Sequence, residues 1–221
     1  MSDYIPIEKW WTNLSKRYRN YMGSGYDLIE HLDKEIQQSS PTEQNDLITF
    51  LTQKAINEED GYATALAVLE NHCTDNCLDL LFEKAKQINF ADQKIIYYLR
   101  VIGKRGSEKH RQLLTDYLLS DKLNPNHSFV QWSVYPNYPD LFAKAYSKYL
   151  IETDYKEWTG SAIVQSFMTH PKAAELVKHI LEVNNQKVWK NFKNDLQQEL
   201  TKGFWNETNK KEIATIICSL H

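Results

Sequence analysis

His72, Cys73 and Cys77 form the cluster that most resembles a set of metal ligands. A ring nitrogen and two thiolates are groups that zinc accepts, but structural zinc sites usually take four protein ligands in paired spacings, and no second pair follows here. We interpret the cysteines as small buried residues in helix packing and predict neither a metal site nor a cofactor. Cys218 makes the count odd, which favours reduced thiols in a cytoplasmic protein over a disulfide framework.

The densest acidic run is Glu58-Glu59-Asp60, immediately before Gly61. Paired carboxylates can transfer protons, but such a run more often lies in a solvated loop, where it meets the positive end of a helix dipole. HExxH, GxSxG, P-loop and GxGxxG motifs are all missing from the sequence. A catalytic pair that meets only in the folded chain stays open, so we predict a non-enzymatic protein without a named catalytic residue.

A basic patch occupies the middle of the chain, with Tyr97 and Tyr98 a few residues before it. Its members are Lys104, Arg105, Lys109, His110 and Arg111. Such a patch can bind phosphates or an acidic protein surface. A DNA-binding surface needs basic residues over several repeats, because neutralisation of phosphates supplies most of its affinity.

Charge is distributed unevenly along the 221 residues, whose net charge is −3. Residues 1–25 carry +2, residues 26–90 carry −9, residues 91–150 carry +4, and residues 151–221 are neutral. An acidic first third beside a basic middle is a mild electrostatic signature, although solvated helix faces produce the same pattern. We find neither a signal peptide nor an apolar run long enough to span a membrane.

The elements that must position these residues are helices. Gly and Pro are scarce, at 7 and 6 residues, which disfavours a β architecture rich in turns. We predict six helix pairs, whose second helices begin at positions separated by 31 to 36 residues: Pro41, Asp75, Glu108, Pro139, Pro171 and about Glu207. Proline suits a first helical position because its missing N–H would be unpaired there, and Ser40 with Glu43 reads as a capping box.

Apolar residues at helical spacing flank each of the predicted turns. The clearest copy runs from Ile95 to Leu119, with Ser107 as the predicted cap of its second helix. A separate N-terminal stripe predicts a helix that caps the first pair: Ile7, Trp10, Trp11, Leu14, Tyr18 and Tyr21. Lys16, Arg17 and Arg19 beside the tryptophans leave a membrane-surface helix as an alternative to the cap.

The segment from Ile102 to Ser107, followed by Leu113-Leu114 and Leu118-Leu119, resembles the HEAT-like helical repeats. An apolar helix end, a tight turn and a leucine-rich second helix follow one another in that order. The resemblance implies an all-α fold, an α-α superhelix of about six helix pairs over residues 26–220. Residues 1–25 are the predicted N-terminal cap helix of this single domain, which covers residues 1–221. Tetratricopeptide repeats have a similar period, but their recurring small and aromatic positions do not align here.

The hypothesis we prefer is a protein-binding scaffold, with a toxin-neutralising immunity protein as one specialisation. Its predicted binding residues lie on the second helices and the central turn: Asp75, Asp79, Glu83, Lys104, Arg105, Lys109 and Arg111. The alternative is a DNA-binding or DNA-repair protein of the glycosylase type, since bacterial alkylpurine DNA glycosylases are built on HEAT-like repeats and have about this chain length. The negative net charge opposes that alternative, and no catalytic residue can be carried over from those enzymes.

Overall fold

The computed structural model describes residues 25–120, 127–152 and 207–219, with Lys9, Trp11, Thr12 and several positions between 190 and 201. Within these ranges the secondary structure is helical and contains no strand, which confirms the predicted all-α class. None of the described helices combines the length and hydropathy that crossing a bilayer requires. Residue contacts divide the chain into two compact units, Met1–Leu113 and Leu114–His221.

In the first unit, the described residues from Gly25 onward form five complete helices. They are α1 (Gly25–Gln38), α2 (Pro41–Ile56), α3 (Tyr62–His72), α4 (Asp75–Ala85) and α5 (Ile95–Arg105). A short 3-10 turn (Glu108–His110) follows, and α6 (Arg111–Leu118) crosses the boundary between the units. The second unit also contains α7 (His127–Val134), α8 (Pro139–Glu152) and α9 (Glu207–Ser219).

Five of the six predicted starts of second helices are confirmed by these bounds. Helices or helical turns begin at Pro41, Asp75, Glu108, Pro139 and Glu207, and Pro171 lies outside the described residues. The predicted capping box is present at α2, where the Glu43 carboxylate accepts from the Ser40 N–H at 2.9 Å and the Glu43 N–H donates to Ser40 Oγ at 3.4 Å. Local capping chemistry therefore sets where α2 begins.

Contacts in the first unit link alternate helices as well as neighbours. Helix α3 contacts both α1 and α5, and α2 contacts α4. Among neighbouring helices, α2 packs on α1 and α3, and α5 packs on α4. The predicted apolar stripes supply much of the buried core: Leu32, Ile36, Leu47, Ile48, Leu51, Ala65, Leu66, Val68, Leu69, Leu78, Leu81, Ala85, Leu99 and Ile102.

The described core of the second unit is aromatic where α7 contacts α8. The Phe142 ring stacks on Tyr146 at 5.4 Å between centroids and meets Tyr135 edge-on at 5.5 Å. Tyr138 is also buried, and in α9 Ile213 and Ile217 are enclosed. The predicted pair that follows α8, with apolar residues between Ala162 and Leu181, lies outside the described residues.

Trp11 belongs to the apolar stripe of the predicted N-terminal cap helix, and its side chain is buried. Its ring meets Phe50 edge-on at 6.2 Å, and the Lys54 ammonium lies 5.4 Å from its centroid. Gly61 precedes α3 in the left-handed conformation, with φ of 85°. A Cβ on this glycine would lie 2.6 Å from Trp11 Cζ2. Glycine is therefore needed here for two reasons, its backbone conformation and its small size.

We expect Gly61→Ala to lower the free energy of unfolding by about 1–3 kcal/mol, because alanine resists positive φ and its Cβ clashes with Trp11. Urea denaturation followed by circular dichroism measures the change. Gly106→Ala is a suitable control, since φ at Gly106 is −70°. When Trp11 is already replaced by alanine, Gly61→Ala should lower the free energy of unfolding by less than it does when Trp11 is present. An equal cost in both backgrounds would contradict the steric part of this account.

Candidate functional site

A row of polar side chains links the three helices α1, α3 and α5. It consists of Asp33 on α1, Asn71 and His72 on α3, and Lys104 on α5, and we call it the polar row. Asn71 Nδ2 donates to Asp33 Oδ2 at 2.9 Å, and His72 Nε2 lies 2.9 Å from Asp33 Oδ1. Lys104 Nζ donates to Asn71 Oδ1 at 2.7 Å. Side chains thus join α3 to α1 and α5 to α3.

A half-buried ion pair lies between α3 and α5. Arg100 on α5 reaches Glu70 on α3 at 2.8 Å, with 35% of the Arg100 side chain and 12% of the Glu70 side chain exposed. Burial raises the pKa of Glu70, while the positive charges of Arg100 and Lys104 oppose that increase. The pair is therefore a second polar link between α3 and α5, beside the contact of Asn71 with Lys104.

The predicted basic patch is divided among four separate acceptors within the chain. Lys104 binds Asn71, and Arg105 donates to the carbonyl of Cys73 at 3.3 Å. Lys109 pairs with Asp79, and Arg111 Nε lies 3.5 Å from the Glu108 carboxylate. Three of these cations contact α3, α4 or the turn between them, where their partners lie 30 to 33 residues earlier in the chain.

The predicted acidic residues Asp75, Asp79 and Glu83 are all exposed on α4. Asp79 pairs with Lys109, whose hydrogen bond is the main cause of its lowered pKa. Glu83 pairs with Lys86 at 2.7 Å, one turn further along. The structure therefore brings one acidic and one basic member of the predicted set together, Asp79 with Lys109. Glu83, Lys104, Arg105 and Arg111 each have another partner.

Exposed side chains of α2 and α4 form the surface that includes Asp79 and Glu83. We call this surface the second-helix face, and its members are Thr42, Asp46, Thr49 and Gln53 on α2, with Asn76, Asp79, Leu80 and Glu83 on α4. They recur at helical spacing, opposite the buried stripes of the same helices. Leu80 leaves 41% of its surface exposed among these polar residues, the largest exposed fraction of any bulky apolar side chain in the described residues.

The acidic run proposed as a possible acid–base group is held by lysines. The Glu58 carboxylate lies 2.8 Å from Lys84 Nζ and 2.9 Å from Lys94 Nζ, and Glu59 pairs with Lys54 at 3.1 Å. Hydrogen bonds from Lys84 and Lys94 lower the pKa of Glu58, so it stays ionised and is a weak base at neutral pH. Glu58 also has φ of 53°, an uncommon conformation for a residue other than glycine.

The possible metal ligands point to separate partners. His72 binds Asp33, whereas Cys73 Sγ lies 3.5 Å from the Thr74 carbonyl. Burial raises the pKa of Cys73 to about 12, which keeps the thiol protonated at neutral pH. In the part of the chain that the structure describes, His, Cys, Asp and Glu form no group of three that could hold a metal ion.

Comparisons with known proteins give no match: no family model, no curated protein and no solved structure resembles this chain closely enough to be reported.

Several residues that organise this region were not singled out by the sequence analysis. The most important are Asp33 and Asn71 of the polar row and Glu70 with Arg100. The contact between Lys104 and Asn71 could have been predicted from the sequence. The two residues are 33 positions apart, which is close to the predicted repeat period. Polar residues one period apart lie side by side when equivalent helices stack.

We expect Asp33→Ala to lower the free energy of unfolding by about 1–3 kcal/mol, because Asn71 and His72 lose their shared acceptor. The matched control is Asp46→Ala, an exposed aspartate on α2 whose removal should change stability by less than about 0.5 kcal/mol. Both values come from urea denaturation at pH 7. Equal effects of the two substitutions would show that the polar row contributes nothing specific.

Proposed function

We propose that this protein is a non-enzymatic α-solenoid of HEAT-like helix pairs that binds a protein partner through its second-helix face. The observation that carries the proposal is the contact of equivalent helices, α1 with α3 and α3 with α5 on one side, and α2 with α4 on the other. Repeat proteins stack their units in this way, and each added unit extends a surface available for binding.

The composition of the second-helix face favours a protein partner. An exposed leucine surrounded by polar and acidic side chains resembles the apolar centre and polar rim of a protein interface. Asp46, Asp79 and Glu83 give this face its acidic residues, of which Asp79 pairs with Lys109 and Glu83 with Lys86. A partner that places an apolar side chain on Leu80 and basic groups around it fits this arrangement. A toxin with a basic surface would be one such partner, which keeps the immunity-protein specialisation within the proposal.

The arrangement of the basic patch supports a protein partner over a nucleic acid. Lys104, Arg105 and Lys109 each contact the preceding helix pair, so they contribute to its packing. Arg111 is the fourth cation of the patch. The four side chains approach separate acceptors and do not form a stripe along several repeats, as a DNA-binding surface would. Binding to phosphates would compete with these internal contacts.

The decisive experiment uses the intact protein as bait in a lysate of its source cells, with and without nuclease, followed by mass spectrometry. We expect a stoichiometric protein partner that survives nuclease and binds the purified protein directly. Leu80→Ala and Glu83→Lys should each weaken that binding about tenfold, the effect of losing about 1.4 kcal/mol. Glu30→Lys is the matched control, because Glu30 is an exposed glutamate that also pairs with a lysine on its own helix.

Two outcomes would count against the proposal. If nucleic acid is recovered and every protein is lost after nuclease treatment, the DNA-binding alternative replaces it. If a direct partner binds Leu80→Ala and Glu83→Lys as tightly as it binds the unaltered protein, the second-helix face is not the binding surface.

A further inference from the structure

The His110 side chain is completely enclosed, although it lies in the short 3-10 turn that follows α5. Its ring meets Phe82 of α4 edge-on, with 4.8 Å between the centroids. The residues before it in the turn, Ser107, Glu108 and Lys109, are all exposed. A titratable ring is thus buried directly beneath a turn whose other side chains face solvent.

The hydrogen bonds of the turn define the protonation state of this ring. The backbone N–H of Ser107 donates to His110 Nδ1 at 2.9 Å, and the N–H of His110 donates to the Ser107 carbonyl at 2.9 Å. A backbone N–H can only donate, so Nδ1 must be the unprotonated nitrogen of a neutral imidazole. The single ring proton then lies on Nε2. That atom is buried, and its nearest charged neighbour is Asp79 Oδ1 at 3.7 Å, beyond hydrogen-bonding distance.

The charged groups around the ring come from two elements. Asp79 faces it from α4, and Lys109 belongs to the turn itself and pairs with Asp79. Burial is the main cause of a lowered His110 pKa; the positive charge of Lys109 adds to this effect, and the negative charge of Asp79 opposes it. Because the aspartate is shared with Lys109, its charge is not available to His110 alone.

We propose that His110 is a pH-sensitive latch that holds the turn after α5 closed while its ring is neutral. A second ring proton must sit on Nδ1, where it would face the Ser107 N–H that now donates to that atom. Protonation therefore breaks the Ser107 hydrogen bond and leaves a charged ring in an enclosed site, so the turn opens and the ring reaches water. The opened turn also carries Lys109 away from Asp79, which couples acidification to a residue of the second-helix face.

The direction of the pH effect follows from the two states of the chain. The ordinary pKa of the ring is 6.5, and its folded-state pKa is lower. As pH falls through 6.5 the unfolded chain therefore takes up the proton first, and stability declines. The contribution of His110 is fully present above the ordinary pKa, and its loss is complete below the folded-state pKa.

The first test compares the urea midpoint of the full chain at pH 7.5 and pH 5.5 with that of His110→Gln. Glutamine at this position can still accept from the Ser107 N–H but does not titrate, so it keeps the closed turn and removes the latch. We expect a smaller drop of the midpoint on acidification in His110→Gln than in the unaltered protein. His31→Gln is the control, because His31 is more than one-third exposed on α1, and its substitution should leave most of the drop in place. Equal drops in the unaltered protein and His110→Gln would overturn the proposal.

The second test uses the unaltered protein, so it tests the latch even if His110→Gln fails to fold. Nitrogen-15 NMR of the histidine rings should show His110 as the neutral form with its proton on Nε2 at pH 7.5. Its titration midpoint should lie below 6.5, and protection of the Ser107 amide from hydrogen exchange, corrected for intrinsic rate, should fall with the same midpoint. A proton on Nδ1 at pH 7.5, or Ser107 protection unchanged to pH 5.5, would refute the latch.

Discussion

The first unit depends on the enclosure of α3, which packs against α1, α2 and α5. Nearly all of its residues are buried or half-buried, and Ala63, Ala65 and Ala67 are small enough to let neighbouring helices approach closely. Its polar end differs, because Asn71 is exposed and His72 is half-buried. Both side chains contact Asp33 of α1, and Asn71 also accepts from Lys104 of α5, so the polar row links α3 to two of the helices that enclose it.

The boundaries of the helices could be predicted because local chemistry determines them. Pro41 and Pro139 have a preset φ and need no N–H donor, and the Ser40–Glu43 capping box is complete within four residues. The apolar stripes are equally local, since burial follows the helical period. The number of repeats and their solenoid arrangement remain proposals, because they depend on residues beyond those that the structure describes.

The polar contacts could not be predicted in the same way. Glu70 and Arg100 meet because α3 and α5 pack at a particular register, and the spacing of residues along one helix carries no information about that register. The charge of the acidic first third is partly used in ion pairs within the chain. This segment supplies Asp79 to Lys109 and Glu58 to Lys94 of the basic middle, and Glu58 also binds Lys84.

The partners in these contacts lie near one another along the chain. The hydrogen bond from the Tyr98 hydroxyl to the Ala55 carbonyl, for example, joins residues 43 positions apart. A fold built from such short separations has a low contact order, and closing its loops costs little entropy. Folding of this unit can therefore begin at any neighbouring set of helices and spread outward. Such a unit does not need its two ends to meet before it gains stability, so it can begin to fold before the rest of the chain has been synthesised.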